Sequence, residues 1–132
     1  MTKVYLKLIY FFNISVILFI FLLGKNISAD QYATIIADEI KSNNKTGIVN
    51  AKGDVVVINH DGTKLKGDNV TYQKEKQKVD AKGNIIINDV DGATYFLDNV
   101  ITIDGLNYFK GNNVKARLVD NSRIVSNDIV KE

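Results

Sequence analysis

The sequence predicts an all-β protein, and three observations favour this fold class. A unit of about thirty residues repeats along the chain after residue 30. Within each unit, short β-branched runs are followed by Asp-Gly pairs, a pattern typical of strands and tight turns. No stretch after residue 30 shows a sustained 3.6-residue apolar period, and the chain has no proline to interrupt strand pairing. We therefore expect an elongated, solenoid-like stack of short strands.

The first 29 residues differ from the rest of the chain in charge and hydropathy. They carry three lysines and no acidic residue, and an apolar run extends from Leu8 to Leu23. A basic start, an apolar run and a small residue such as Ala29 are typical of a secretory signal. The run also approaches the length of a membrane span, and a buried core helix is a third alternative. The sequence thus predicts an apolar N-terminal helix in 1–29, a signal peptide or a membrane anchor, followed by an exported β domain over 30–132.

The composition of the chain excludes several functions. Without the first 29 residues, 14 basic and 15 acidic residues remain, so the net charge changes from +2 to −1. The alkaline character of the chain therefore belongs to its N-terminus, and no basic stripe indicates nucleic-acid binding. The absence of cysteine excludes disulfides, thiolate metal sites and a cysteine nucleophile.

The internal repeat is visible without a gap at an offset of thirty residues. Between 51–72 and 81–102, 8 of the 22 positions are identical. Average residue usage would give roughly one or two identities. The same register reaches outward to 38–40 and 128–130. Such a unit has one apolar face and cannot bury it alone, so neighbouring units are expected to stack.

Two Asp-Gly pairs, at Asp61-Gly62 and Asp91-Gly92, follow the β-branched runs. They predict two-residue hairpin turns of type I′, because Asp and Gly tolerate the positive φ that this turn needs. The charged segment 73–78 predicts a further turn.

Reading alternate positions gives one inward-facing apolar set. It contains Ala51, Ala81 and eleven larger residues, which are the candidates for lining a groove: Val49, Val55, Val57, Leu65, Val70, Tyr72, Val79, Ile85, Ile87, Leu97 and Val100. The sequence does not decide whether Val55 and Ile85 face inward or outward. Gly53 and Gly83 could mark β-bulges, and a bulge shifts the alternation of inward and outward side chains by one residue. The set either lines a groove or packs on itself, and the sequence leaves both interpretations open.

No catalytic or metal site is expected. His60, the single histidine, precedes a turn glycine and has no catalytic partner in its pattern, so it is interpreted as a turn residue. Four aspartates recur at the repeat spacing: Asp38, Asp68, Asp98 and Asp128. One acid per unit is too few for calcium, so we expect these side chains to cap turns.

Several of these segments together resemble a known family. They are Ala37–Ile40, Gly47–Val55, Asp61-Gly62 and Leu65–Tyr72 followed by 74–79. The pattern resembles the OstA-like repeat domain of lipopolysaccharide-transport proteins, namely the periplasmic bridge of the LptA type, the anchored LptC type and the N-terminal domain of LptD. The resemblance extends over nearly all of the chain after residue 30.

The resemblance implies a V-shaped β-jelly roll with open ends, without enzymatic activity or a cofactor. The inward set would bind the acyl chains of lipopolysaccharide in an apolar groove in the periplasm. The end strands, near Tyr32–Ile36 and Ile124–Ile129, would pair edge to edge with other Lpt-type domains or with a second copy in a homo-oligomer. The alternative is a structural β-solenoid of the envelope with a self-packed core and no lipid ligand.

Overall fold

The computed structural model describes residues 33–132. The signal peptide or anchor expected in 1–29, with its apolar helix, lies outside the described residues. In the described part of the chain, no helix is long and apolar enough to cross a membrane. The strands are β1 (Thr34–Ile36), β2 (Glu39–Asn43), β3 (Ile48–Ile58), β4 (Lys64–Gln73), β5 (Lys78–Asn88), β6 (Thr94–Ile103), β7 (Tyr108–Arg117) and β8 (Arg123–Lys131). A short 3-10 turn, Lys74–Lys76, joins β4 to β5.

The strands form one antiparallel sheet in the order β1-β3-β4-β5-β6-β7-β8, and β2 also pairs with β3. From β3 onward, each strand is therefore bonded to the strand that precedes it in sequence. The all-β prediction is confirmed. The repeat is visible in the strand starts, since β3, β5 and β7 begin thirty residues apart at 48, 78 and 108.

β-Bulges interrupt the strand pairing at Gly53 and Gly83, the two glycines where the sequence suggested them. Gly53 and Asp54 together lie opposite Asp68 of β4, and both have positive φ, +78° and +42°. Gly83 of β5 repeats this arrangement with φ +84°. Glycine suits such a position because it has no Cβ to clash in the left-handed region. The bulges bend the strands and divide the sheet into two halves.

We call these halves half-sheet A and half-sheet B. Half-sheet A contains 39–43, 48–52, 69–73, 78–82, 99–103, 108–112 and 128–131. Half-sheet B contains 34–36, 55–58, 64–67, 85–88, 94–97, 114–117 and 123–126. The first strand position is thus split, with β1 in half-sheet B and β2 in half-sheet A.

The inner faces of the two half-sheets meet. The ring of Tyr95 in half-sheet B lies edge-on to that of Phe109 in half-sheet A, with centroids 5.1 Å apart. Asn59, which follows β3, reaches Gly105 in the turn after β6, where an added Cβ would lie 2.7 Å from the Asn59 Oδ1. The apolar core lies between the half-sheets, as in two stacked layers of a jelly roll.

The hairpin turns of half-sheet B are longer than predicted. In the first, the Asn59 carbonyl accepts the Gly62 N–H, the Asn59 N–H donates to Thr63, and Gly62 is the loop residue with positive φ. This is a three-residue loop with a type I turn and a left-handed third residue. The type I′ prediction was therefore wrong here, and for Asp91-Gly92, where the same bonds recur.

The recurring aspartates were also interpreted wrongly, since they do not cap turns. Asp68 and Asp98 lie within strands and face the bulges. Asp68 accepts the side-chain N–H of Asn84 at 2.8 Å, and Asp98 accepts that of Asn113 at 2.6 Å. The aspartates thus tie the bulged residues to the neighbouring strand.

Candidate functional site

The eleven residues nominated from the sequence all lie on the inner faces of the two half-sheets. Their exposed fractions range from 0 to 7%. Val55 and Ile85, whose direction the sequence left undecided, are 0 and 1% exposed. The side chains that follow each bulge in β3 and β5 therefore still face inward. The structure therefore brings the whole set together in one apolar interior. Burial of this kind is common to a lipid groove and to a self-packed core, and lipid binding by these residues stays a prediction.

The sequence interpretation missed part of the interior formed by β6, β7 and the turn between them. The buried side chains it omitted include Tyr95, Leu106, Phe109, Val114 and Ala116. In β7 the inward positions are 109, 111, 114 and 116, so the alternation changes phase after Gly111. The pattern Gly111-Asn112-Asn113, similar to Gly67-Asp68-Asn69 of β4, was the available signal for this change of phase.

Two inward glycines show how closely the layers approach. A Cβ added to Gly67 would lie 2.5 Å from Cδ1 of Ile85, and one added to Gly111 would collide with Cδ2 of Leu97. Neither glycine has a positive φ, so these positions require glycine for space. The centre of the interior is therefore filled by its own side chains in this conformation.

The interior is less covered at the terminal strands. The inward residue Ile40 of β2, paired with Ala51, is 46% exposed. At the other edge, the inward residue Ile124 of β8, paired with Ala116, is 43% exposed. Ile129 and Leu118 are partly buried against the core. Apolar surface thus continues from the core to both ends of the described sheet.

A charged pair crosses the interior near the β8 end, and we call it the clasp. Lys131 faces inward from β8 and forms an ion pair with Asp89, which follows β5. The ammonium also lies 5.9 Å from the Tyr95 ring centroid and 6.0 Å from that of Phe109. Burial lowers the pKa of Lys131, against the opposing effect of the Asp61 charge. Burial likewise raises the pKa of the Tyr95 hydroxyl. The clasp joins the two half-sheets where the interior begins to open.

Apart from the clasp, the described residues that face the interior are apolar or uncharged. Thr102 is fully buried, and its hydroxyl donates to the Gly105 carbonyl at 2.5 Å and accepts the Val79 N–H at 3.2 Å. His60 lies in a hairpin loop, with its Nδ1 3.3 Å from the Asn59 Oδ1. In the part of the chain that the structure describes, no three His, Cys, Asp or Glu residues are grouped to hold a metal ion. The arrangement can exclude water from apolar groups.

No family profile matches the chain, and no curated protein matches it. Among solved structures, the chain is similar to LptH from Pseudomonas aeruginosa, described as the LptA-homologous periplasmic component of the conserved lipopolysaccharide transport device. The two chains share 23% identity, the match covers 76% of each, and the TM-score is 0.64. The chain therefore has the LptA-type β-jelly-roll fold.

Proposed function

We propose that this protein is a periplasmic, non-enzymatic lipopolysaccharide-transport module. It shelters acyl chains between its two half-sheets and joins other Lpt-type domains, or a second copy, edge to edge. The observation that carries this proposal is the continuity of the apolar interior. It runs from the buried centre to the exposed inward residues Ile40 and Ile124 at opposite edges. A closed, self-contained core would be expected to end in polar side chains there.

The energetics favour shelter over tight binding. Each CH₂ group removed from water contributes about 0.8 kcal/mol, so a twelve-carbon chain contributes roughly 9–10 kcal/mol. Exposing an acyl chain to water costs this free energy. An interior as apolar as a membrane removes most of the cost, and the lipid can still leave because it is no more stable there than in a membrane. Because the centre is filled, we propose that acyl chains enter at the β8 end, where Leu118 and Ile129 are only partly buried. Entry separates the half-sheets and breaks the clasp.

Edge pairing is the second element of the proposal. Among the described strands, β1 and β2 lie at one edge of the sheet and β8 at the other. Unpaired edges either aggregate or receive another strand, and strand addition supplies main-chain hydrogen bonds to a partner. The predicted candidate edges, near Tyr32–Ile36 and Ile124–Ile129, overlap these strands.

A photocrosslinking experiment tests the proposed lipid shelter. A photoreactive residue is placed at Ile129, which faces inward on β8, or at Val130, which faces outward and is 61% exposed. After irradiation with lipopolysaccharide, we expect a crosslinked product at position 129 and much less at 130. Equal yields at the two positions, or no product at 129, would overturn the proposal.

One observation favours a second function, a structural β-solenoid of the envelope with no lipid ligand. All eleven nominated side chains already contact the core, and the interior glycines leave no space for a Cβ. In that case position 129 yields no product, and extraction of the purified protein recovers no lipid. The same two experiments therefore distinguish the functions.

A further inference from the structure

The outer face of half-sheet B has an uneven distribution of charge. Two rows of paired residues cross it from β1 to β8. They carry five cations: Lys64, Lys66, Lys115, Arg117 and Arg123. In these described strands, neither row contains an acidic residue. We call this surface the basic face.

The five cations are available to a ligand. Among the described residues, ion pairs form between Lys41 and Glu39 and between Lys131 and Asp89, and neither involves the basic face. Acidic residues do flank the face, and Asp54 and Asp68 line one surface depression together with Lys66. Asp61, in a hairpin loop, accepts the Thr63 backbone N–H at 2.8 Å. At the bulges, Asp68 and Asp98 accept asparagine N–H groups.

Apolar side chains are interleaved with these cations. The row that carries Lys66 and Lys115 also carries Ile36, Phe96 and Val125, which are 56, 45 and 78% exposed. Adjacent strands lie about 4.8 Å apart, so a row of seven strands spans roughly 29 Å. The face is therefore broad enough to contact several lipid headgroups at once.

The outer face of half-sheet A provides an internal comparison. It also carries lysines, including Lys82 and Lys110, but Glu39, Asp80 and Asp128 lie on the same rows. Its rows carry both signs of charge, whereas the two rows that cross the basic face carry cations alone.

We propose that the basic face docks onto the surface of a bilayer that contains anionic phospholipids. Cations attract the phosphates, while Phe96, Ile36 and Val125 insert at the boundary between headgroups and acyl chains. A second copy of the chain fits poorly, because a symmetric contact would oppose the same cations. A nucleic acid fits less well, because its phosphates would lie against the exposed apolar side chains. This inference concerns the outer surface and does not depend on lipid entering the interior.

The chain contains no cysteine, so single labels can report which face meets the bilayer. An environment-sensitive fluorophore is attached to Phe96→Cys on the basic face, or to Ile101→Cys on the outer face of half-sheet A. The full chain is mixed with vesicles of phosphatidylcholine, with or without phosphatidylglycerol. We expect a blue shift for the label at 96 with phosphatidylglycerol, little change at 101, and reversal by salt.

Charge reversal supplies the matched variants. Lys115→Glu with Arg117→Glu is expected to weaken binding to phosphatidylglycerol vesicles by about tenfold or more. Lys82→Glu with Lys110→Glu changes the same number of charges on the other face and is expected to have a much smaller effect. Every variant carries the same N-terminal segment, so any membrane affinity of that segment is common to all of them.

Three outcomes would overturn the proposal. They are equal shifts for the two labels, equal weakening by the two pairs of reversals, and a shift of the label at 96 that phosphatidylglycerol does not increase. A label at 96 that responds to an oligonucleotide or to protein concentration, but not to vesicles, would assign the face to a nucleic acid or to a second copy instead. Because the vesicles contain no lipopolysaccharide, the result is independent of the photocrosslinking test.

Discussion

The centre of the sheet and its terminal strands have the same alternating pattern but different burial. Within residues 33–132, the 19 buried apolar residues of the core all lie between Val49 and Ala116, from β3 to β7. β1, β2 and β8 contribute none of them, although Ile35, Ile40 and Ile124 occupy equivalent inward positions. A repeated unit buries its apolar face only where it has a neighbour on each side. The terminal strands are therefore where this molecule has surface left for another chain or a lipid.

The largest expected effect on stability comes from a substitution at the centre of the sheet, compared with the same kind of substitution at its β8 end. Leu65 is 0% exposed and Ile124 is 43% exposed, and both face inward in half-sheet B. Leu65→Ala should lower the free energy of unfolding by about 2–5 kcal/mol, because it creates a cavity in a packed interior. Ile124→Ala should lower it by less than about 1 kcal/mol. Urea unfolding measures both, and similar losses would mean that the β8 end is packed as tightly as the centre.

The clasp tests the same comparison, because it joins the terminal strand β8 to Asp89, which follows the central strand β5. Lys131→Ala removes the partner of Asp89, whose side chain is only 9% exposed. We expect a loss of about 1–3 kcal/mol, since a buried carboxylate without its partner is costly. The double variant Asp89→Leu with Lys131→Met should recover most of this loss. A double variant as unstable as Lys131→Ala would contradict an energetic role for the pair.

The first and second bulges differ in a single functional group. Asp38 lies against Gly53 at the first bulge as Asp68 lies against Gly83 at the second. Asp54 has the positive φ of Asn84, whose amide donates to the Asp68 carboxylate at 2.8 Å. Asp54→Asn should create the same hydrogen bond at the first bulge, with Asp38 as the acceptor, and stabilise the protein by about 0.5–1.5 kcal/mol. Asn84→Asp is the matched control and should destabilise it. Thermal unfolding reports both, and a destabilised Asp54→Asn would show that the first bulge is held differently.

The smallest expected effect concerns acid pH. Burial acts to raise the pKa of Asp61, but hydrogen bonds from Thr63 and Asn59 outweigh it, and the pKa lies below its usual value. A carboxyl with a lowered folded-state pKa stabilises the protein above its unfolded-state pKa of about 3.9. This stabilisation disappears as the pH falls through the folded-state pKa. Asp61→Asn should reduce the loss of stability between neutral pH and pH ~3, as urea titrations at each pH would reveal.

The sequence predicted the composition of the interior well from β3 to β5. Within β3 and β5 the inward residues alternate with period two, and β-branched residues leave little doubt about which face is apolar. The prediction was incomplete in β6 and β7: it missed Tyr95, Phe109 and Val114, although the change of phase after Gly111 has a counterpart after Gly67 of β4. It was wrong for the Asp-Gly turns, because the same dipeptide suits a two-residue and a three-residue loop, and pairing of the strands decides between them.

By itself, the sequence determined the strand class, the thirty-residue unit and the inward set from β3 to β5, since these depend on a local period and on the requirement to bury apolar side chains. Only the tertiary structure decided which residues from distant segments contact each other or share a face. Asp89 meets Lys131 in the clasp, Asp68 meets Asn84 at a bulge, and cations from β4, β7 and β8 share one face. Each of these depends on register, which is set by pairing among strands far apart in sequence and is not visible in any one of them.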